Sequence, residues 1–408
     1  MISNYLSTIK HYMLFQALKF IGSVLIFYLI FLKLDIQNYA TYGIVQSITI
    51  LFTLLIGFNI KSSFQKVYSK KLISRTSNFV ILIILILGTV LFSIVFWIIN
   101  TTGFTNLIFN NSDNIPRSHL FYLYSILFCF KEILSSILNA KKKTFLYGLS
   151  IVLPFFISIP AIVTSENLEI NKLLMIITTS YFVTVLIVAI NNRSFFSYKS
   201  YSTSHHKLIL GYIFNYTSLS IPTLSSKYLL DVVARSVLLS TKGELAVAIL
   251  TFASSIFAVF RSIEQGFFKA ITPYILLNDE KKAIKLTIAK KLIFLQSIFT
   301  IIFFALSPIW IETLKLIFNN KPNEVFVPII LIVMSFSTVV SYIKNYLLSN
   351  VKKHVRELRK FYIISTIVNL MMLSSIIIVN LSALTFVLIQ LSFMTLNLIL
   401  VRLMISPK

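Results

Sequence analysis

Twelve apolar runs, separated by short polar links, fill a chain of 408 residues. Each is close to or longer than the roughly 20 residues an α-helix needs to cross the hydrocarbon of a bilayer. Lipid offers no partner to a backbone N–H or C=O, so each such run must close its hydrogen bonds within itself, as a helix does. The runs lie near Tyr12–Leu32, Tyr42–Ile60, Asn78–Ile99, Leu120–Leu138, Thr144–Val163 and Leu173–Ile190. The second six lie near Ile209–Leu239, Leu245–Ile275, Leu292–Ile317, Val325–Leu348, Phe361–Val379 and Ala383–Leu400. Composition agrees: 57% of residues are hydrophobic and 12% charged, against about 25% charged in a soluble domain. The expected fold class is an all-α integral membrane protein of twelve transmembrane helices.

Charge supplies an independent test of the number of spans. The chain carries 37 basic and 13 acidic side chains, a net charge of +24. In a soluble protein this would suggest a nucleic-acid partner; in a membrane protein it reflects the Lys and Arg that collect in cytoplasmic loops. With the N-terminus placed in the cytoplasm and sides alternating, 24 basic residues fall on the inner side. The outer links hold five: Lys33, Arg117, Lys172, Lys242 and Lys321. A miscounted span would scramble that asymmetry, so both termini are expected inside and no nucleic acid is expected as a partner. Met1–His11 is mostly polar and the first run is too long for a signal sequence, so it reads as a retained span. The single cysteine, Cys129, excludes an intrachain disulfide.

The remaining eight basic residues lie within spans, with four acidic ones: Glu132, Asp231, Glu264 and Glu312. A charge at the bilayer centre costs roughly 2.5–3.5 kcal/mol on insertion scales, so such groups face protein or a watery cavity. They are densest between Leu208 and Leu277, which holds Lys227, Asp231, Arg235, Arg261, Glu264 and Lys269. Ser220, Thr223, Lys227, Asp231 and Arg235 fall on one helical face, where Asp231 is in reach of either neighbouring cation. Pro222 predicts a kink in the same helix. Arg261 comes roughly 24 Å in from the outer end of its span and Lys19 about 10 Å from the inner surface. Lys131, beside Glu132, also falls in the inner half. Lys19, Lys131, Arg261, Lys227 and Arg235 are therefore candidate substrate contacts; Glu132, Asp231 and Glu264 are candidate coupling or ion-pair carboxylates. Each alone also reads as snorkelling or as polar packing between helices. Together the excess of positive charge suits an anionic substrate such as a phosphate.

Much chemistry is missing. There is no G-x-x-x-x-G-K-[ST] loop and no G-x-G-x-x-G turn. The five histidines lie in or beside links, and His205–His206 lacks metal-ligand spacing. No nucleophile–base pair stands out, and the longest outer link, about Asn100–His119, holds no inserted domain. No catalytic residue, metal or cofactor is expected, and the chain is expected not to be an enzyme. A polar, basic break at Asn191–Lys207 divides the runs six and six. Its halves share a faint echo, Tyr42–Gly43 at the first pair of spans and Lys242–Gly243–Glu244 at the seventh and eighth. Two lobes, 1–195 and 196–408, are the expectation, as in transporters built from parallel repeats.

The opening ALKFIGSVLIFYLIFLKLDIQNYATYGIVQSITILFTLLIGFNI, with Tyr42–Gly43 and Gly57, resembles the start of the Wzx-type polysaccharide-transport flippases. The seventh and eighth spans resemble theirs through Pro222, Asp231, Gly243 and Pro273. The family's Asp–Arg adjacency is replaced here by a spacing of four, Asp231 to Arg235, and Glu244 and Leu245 stand where a Tyr commonly follows the linking Gly. The resemblance implies the multidrug/oligosaccharidyl-lipid/polysaccharide exporter superfamily, with two six-helix bundles forming a V and alternating access through a cationic central cavity. It implies a bacterial cytoplasmic-membrane flippase moving polyprenyl-pyrophosphate-linked oligosaccharide units for O-antigen, capsule or a related glycan. Membrane lipids, and a glycan polymerase with its chain-length machinery, are the implied partners. Two other readings stay open. A drug/cation antiporter of the same fold requires a buried carboxylate in the first lobe, where Glu132 is the one in-span acid. A membrane-embedded glycan polymerase requires a large outer loop with basic residues, and the longest holds only Arg117.

Overall fold

The computed structural model describes residues 2–57, 76–103, 108–109, 116–141, 143–191, 203–259, 326–351, 355–378 and 382–405, with isolated positions between 294 and 308. Eleven helices are found among the described residues, and no strand. In chain order they are α1 (Ile2–Lys33), α2 (Ile36–Gly57), α3 (Thr76–Thr101), α4 (Ser118–Ala140), α5 (Thr144–Val163) and α6 (Ile170–Asn191). There follow α7 (Thr203–Lys242), α8 (Glu244–Val259), α9 (Phe326–Val351), α10 (Val355–Ile378) and α11 (Ala383–Ile405). Ten of the twelve apolar runs thus fall on a helix wherever they are described; the eighth, Leu245–Ile275, is helical as far as Val259 and otherwise lies outside the described residues, as does most of the ninth, Leu292–Ile317. Among the described residues eight helices are long and apolar enough to cross a membrane: α1 to α6, α10 and α11. The chain is a multi-pass membrane protein. α7, at 40 residues, makes about 60 Å of helix, twice the hydrocarbon thickness.

Two short links show why the chain turns where it does. Between α1 and α2 only Leu34 and Asp35 intervene. Asp35 caps α2: its Oδ1 accepts the Asn38 amide N–H at 2.6 Å and its Oδ2 the Asn38 side-chain NH₂ at 2.9 Å. A side-chain acceptor at that position satisfies donors a helix start leaves open. Asn38 passes the connection on, accepting the Ile170 N–H at the start of α6 (3.3 Å). Between α7 and α8 only Gly243 intervenes, at φ +79°, donating its N–H to Leu239 O at 3.1 Å. A β-carbon is costly in that left-handed conformation, which is why glycine ends helices this way. α7 itself continues through Pro222 without interruption.

The described helices cluster into two compact units, and the division falls within α7, at Ser225/Ser226. In the first unit α2 is the interior helix, with 72% of its apolar window buried, against 17% for α1 and for α3. The outward faces of α1 and α3 carry Leu14, Tyr28, Leu87 and Trp97, each more than half exposed, as a lipid-facing surface must. Buried hydroxyls turn back on their own helices: Ser125 donates to Phe121 O, Ser180 to Ile177 O and Thr184 to Ser180 O. That satisfies them where no water reaches.

Cross-helix contacts fix helix directions. Phe15 lies against Gly148 and Phe155 against Gly22, so contacts advance together along α1 and α5. A β-carbon on Gly148 would stand 2.2 Å from the Phe15 ring, and one on Gly22 2.7 Å from Phe155. Small residues let these two backbones approach closely, as in other membrane helix pairs. On α2 and α4, Phe52 meets Phe121 while Gly57 meets Ile133. On α4 and α6, the Arg117 N–H donates to Asn171 Oδ1 while Phe128 meets Tyr181. Helices 1 and 5 are parallel, and so are 2, 4 and 6. Alternating membrane crossings require this.

The second unit repeats the pairings. In the first, the extensive contacts include α4 with α6, α5 with α6, and α1 with α5. In the second, α9 packs on α11 and α10 on α11, and α10 is tied to α7 by Asn369 Nδ2 donating to Ser226 Oγ at 3.0 Å. These are the same steps, six runs later.

Candidate functional site

α4 carries an in-span ion pair of the first unit, and its face is legible as spacing: Tyr124, Phe128 and Lys131 stand at i, i+4 and i+7. The Lys131 ammonium lies 2.9 Å from Glu132 Oε1. It also lies 5.2 Å from the ring centroids of Phe128 on α4 and Tyr181 on α6. Both distances are within the reach of cation–π attraction. Tyr124 stacks against Tyr181 at 5.9 Å and Phe128 packs on Tyr181 at 5.7 Å. The three rings therefore form one wall. The side chains of Lys131 and Glu132 are 12% and 24% exposed. Instead of snorkelling, the lysine is held laterally by a carboxylate and two ring faces.

The polar residues following on α4 serve packing. Ser135 donates to Ser150 Oγ on α5 at 2.8 Å, and Asn139 accepts the Tyr12 hydroxyl of α1 at 2.6 Å. Gln16 on α1 is buried and donates to the Tyr147 hydroxyl of α5 at 2.9 Å. Gln16, Lys19 and Ser23 stand at helical spacing on α1; Lys19 is the charged one, and it is half-buried. At the other end of α1, Lys33 Nζ donates to Ile162 O (2.9 Å), Val163 O (2.6 Å) and Ser165 O (2.7 Å). All three protons of the ammonium are spent on carbonyls at the end of α5, where the helix dipole favours a cation. The sequence offered Lys33 only as a link residue.

In the second unit Arg235 is buried, its side chain 6% exposed. Its Nη1 donates to Thr251 Oγ1 at 2.7 Å and its Nη2 to Ser254 Oγ at 3.4 Å, both on α8. Its Nε faces Asp231 Oδ2 at 3.4 Å. Of the two partners open to Asp231 in the sequence, the structure records Arg235 as an ion pair. Asp231 is 37% exposed, and Lys227, one turn earlier, is exposed. Arg261 and Glu264 lie outside the described residues. No group of three His, Cys, Asp or Glu among the described residues is placed to hold a metal.

Sequence reasoning missed Tyr181, Phe128, Thr251 and Ser254. Phe128 could have been found from its helical spacing to Lys131. Tyr181 could not, because its meeting with α4 depends on how two distant spans pack.

No family model matches the sequence, and no curated protein does. Solved structures do match. The MATE multidrug transporter DinF-BH, solved in complex with a ligand, aligns over 99% of this chain and 96% of its own, at TM-score 0.65 and 16% identity. The Vibrio cholerae MATE transporter VcmN, in a mutant form, aligns over 99% and 97%, at TM-score 0.61 and 13% identity. A multidrug resistance MATE transporter of the MOP superfamily, in an outward-facing conformation, aligns over 97% and 94%, at TM-score 0.55 and 13% identity. The all-helical fold of this chain is that of the MATE transporters, over essentially its whole length.

Proposed function

We propose that this chain is a flippase of the bacterial cytoplasmic membrane. It moves a polyprenyl-pyrophosphate-linked oligosaccharide unit by alternating access, both termini lying in the cytoplasm. The fold, shared with solved transporters, supports a transporter. The observation that carries the choice of substrate charge is the Lys131–Glu132 pair, at 2.9 Å. Glu132 is the one acid within the first six spans, and a cation antiporter would need it for its cargo. Here the chain's own ammonium answers it. Lys131 and Arg235 are assigned to holding Glu132 and Asp231. For the anionic pyrophosphate the in-span cations are the candidates, eight basic side chains against four acidic ones in the sequence, Lys19 and Arg261 among them. The polyprenyl tail stays in lipid, and a polymerase with its chain-length machinery takes up the delivered units.

The test is surface glycan display in a host lacking its own flippase. Lys19→Ala and Arg261→Ala should each abolish display at unchanged protein level. Normal display by both variants would overturn the assignment of the pyrophosphate to these cations. Efflux of cationic dyes by the unaltered chain would favour the antiporter reading instead.

A further inference from the structure

We propose that Lys131 is a tethered cation, occupying from within a site whose chemistry is that of an alkylammonium receptor. In this way it sets the chain's specificity against organic cations. The inference goes beyond the glycan reading and stands without it, because it concerns what the first unit excludes.

Removing the lysine on paper leaves a recognisable arrangement. Two aromatic faces, Phe128 and Tyr181, sit 5.2 Å from one point, and Glu132 Oε1 sits 2.9 Å from the same point. Ring faces present negative potential, and a carboxylate completes the charge; this is the set that recognises ammonium groups. The wall is rigid before any ligand arrives. Tyr124 stacks on Tyr181 at an interplanar angle of 22° and on Phe128 at 28°. α4 and α6 pack extensively, so the rings cannot readily part. Glu132 remains 24% exposed and Lys131 12%, so the point is not sealed.

The occupant is covalently attached, which gives it an effective concentration no free cation matches. A competing organic cation must displace Lys131 into surroundings where an unpaired ammonium is expensive. Exclusion therefore needs no steric block. The fold shared with multidrug transporters is kept, and a single side chain removes one class of cargo. The alternative role for Lys131, packing alone, predicts that any group of similar length would serve equally well. The tethered-cation role predicts that its loss creates an affinity.

The experiment is excision and replacement. Lys131→Ala removes Cγ, Cδ, Cε and Nζ, which together make n-propylammonium. The full-length chain is purified in detergent and its thermal unfolding followed against n-propylammonium, with n-propanol as the neutral control. Lys131→Ala should show a saturable rise in Tm with the amine and none with the alcohol. Half-saturation should come at a concentration at least about tenfold lower than any effect on the unaltered chain. Adding Glu132→Gln to Lys131→Ala should remove the effect. If Lys131→Ala does not purify as a monodisperse species, n-propylammonium added during solubilisation should restore it, and n-propanol should not. Equal responses to amine and alcohol, or equal responses of variant and unaltered chain, would overturn the proposal. So would failure of the amine to stabilise or restore the variant. Loss of glycan display in Lys131→Ala would bear on the flippase reading, since the binding result is read on purified protein.

Discussion

Arg235 is buried on a helix that also bears an exposed lysine and a half-exposed aspartate, and its replacement by alanine separates two roles. One is contact with cargo; the other is fastening α7 to α8. The structure supports the second with a magnitude. Arg235→Ala removes one good charge-assisted hydrogen bond, 2.7 Å to Thr251, and two contacts at 3.4 Å that add little at that length. Thr251 keeps its own donation to Val247 O at 2.8 Å, so its hydrogen is not left without an acceptor. Asp231, 37% exposed, is not buried by the change. The loss is then one hydrogen bond to a charged group with its packing, about 2–3 kcal/mol. For a unit of about 170 residues that corresponds to a fall in Tm of roughly 5–10 °C. Arg235→Lys keeps the charge but not the fork, and should fall between. Thermal unfolding of the detergent-purified full chain reads both. An unchanged Tm in Arg235→Ala, together with lost glycan display, would refute the reasoning and return Arg235 to the cargo path.

Two further perturbations test the pairing of α1 with α5. Gly148→Ala places a β-carbon 2.2 Å from the Phe15 ring, where ordinary contact begins at 3.4 Å; overpacking of this kind costs about 1–3 kcal/mol. Unfolding of Gly148→Ala, Phe15→Leu and the double variant should show partial mutual rescue, and simple additivity would contradict the contact. Lys33→Met removes three hydrogen bonds to the end of α5, a loss of about 2 kcal/mol. Hydrogen exchange should quicken at the amides of Thr164 and Ser165, whose donations to Pro160 O and Ile162 O close that end; unchanged exchange there would show that the cap does not depend on Lys33.

What the sequence determined follows from the bilayer. Lipid forces an apolar run of that length to be a helix, so class and approximate ends were legible for the described helices. The turns at Asp35 and Gly243 have local causes, a cap and a left-handed residue, both of which act within a few positions. The structural repeat was barely audible in Tyr42–Gly43 and Lys242–Gly243 but is plain in the helix pairings, because packing preserves which helices touch while letting the side chains at the contact change.

Only the tertiary structure decided the fate of each charge. The sequence put Lys131 and Glu132 side by side and Asp231 one turn from Arg235. It could not say that Tyr181, fifty residues from Lys131, closes over the ammonium. Nor could it say that Thr251 and Ser254 consume the guanidinium, or that three carbonyls of α5 consume Lys33. Periodicity specifies the face of a helix on which a charge lies. What that charge costs, and whether it is available to a ligand, depends on the groups that a second helix brings within about 3–6 Å of it, and that distance is set by packing.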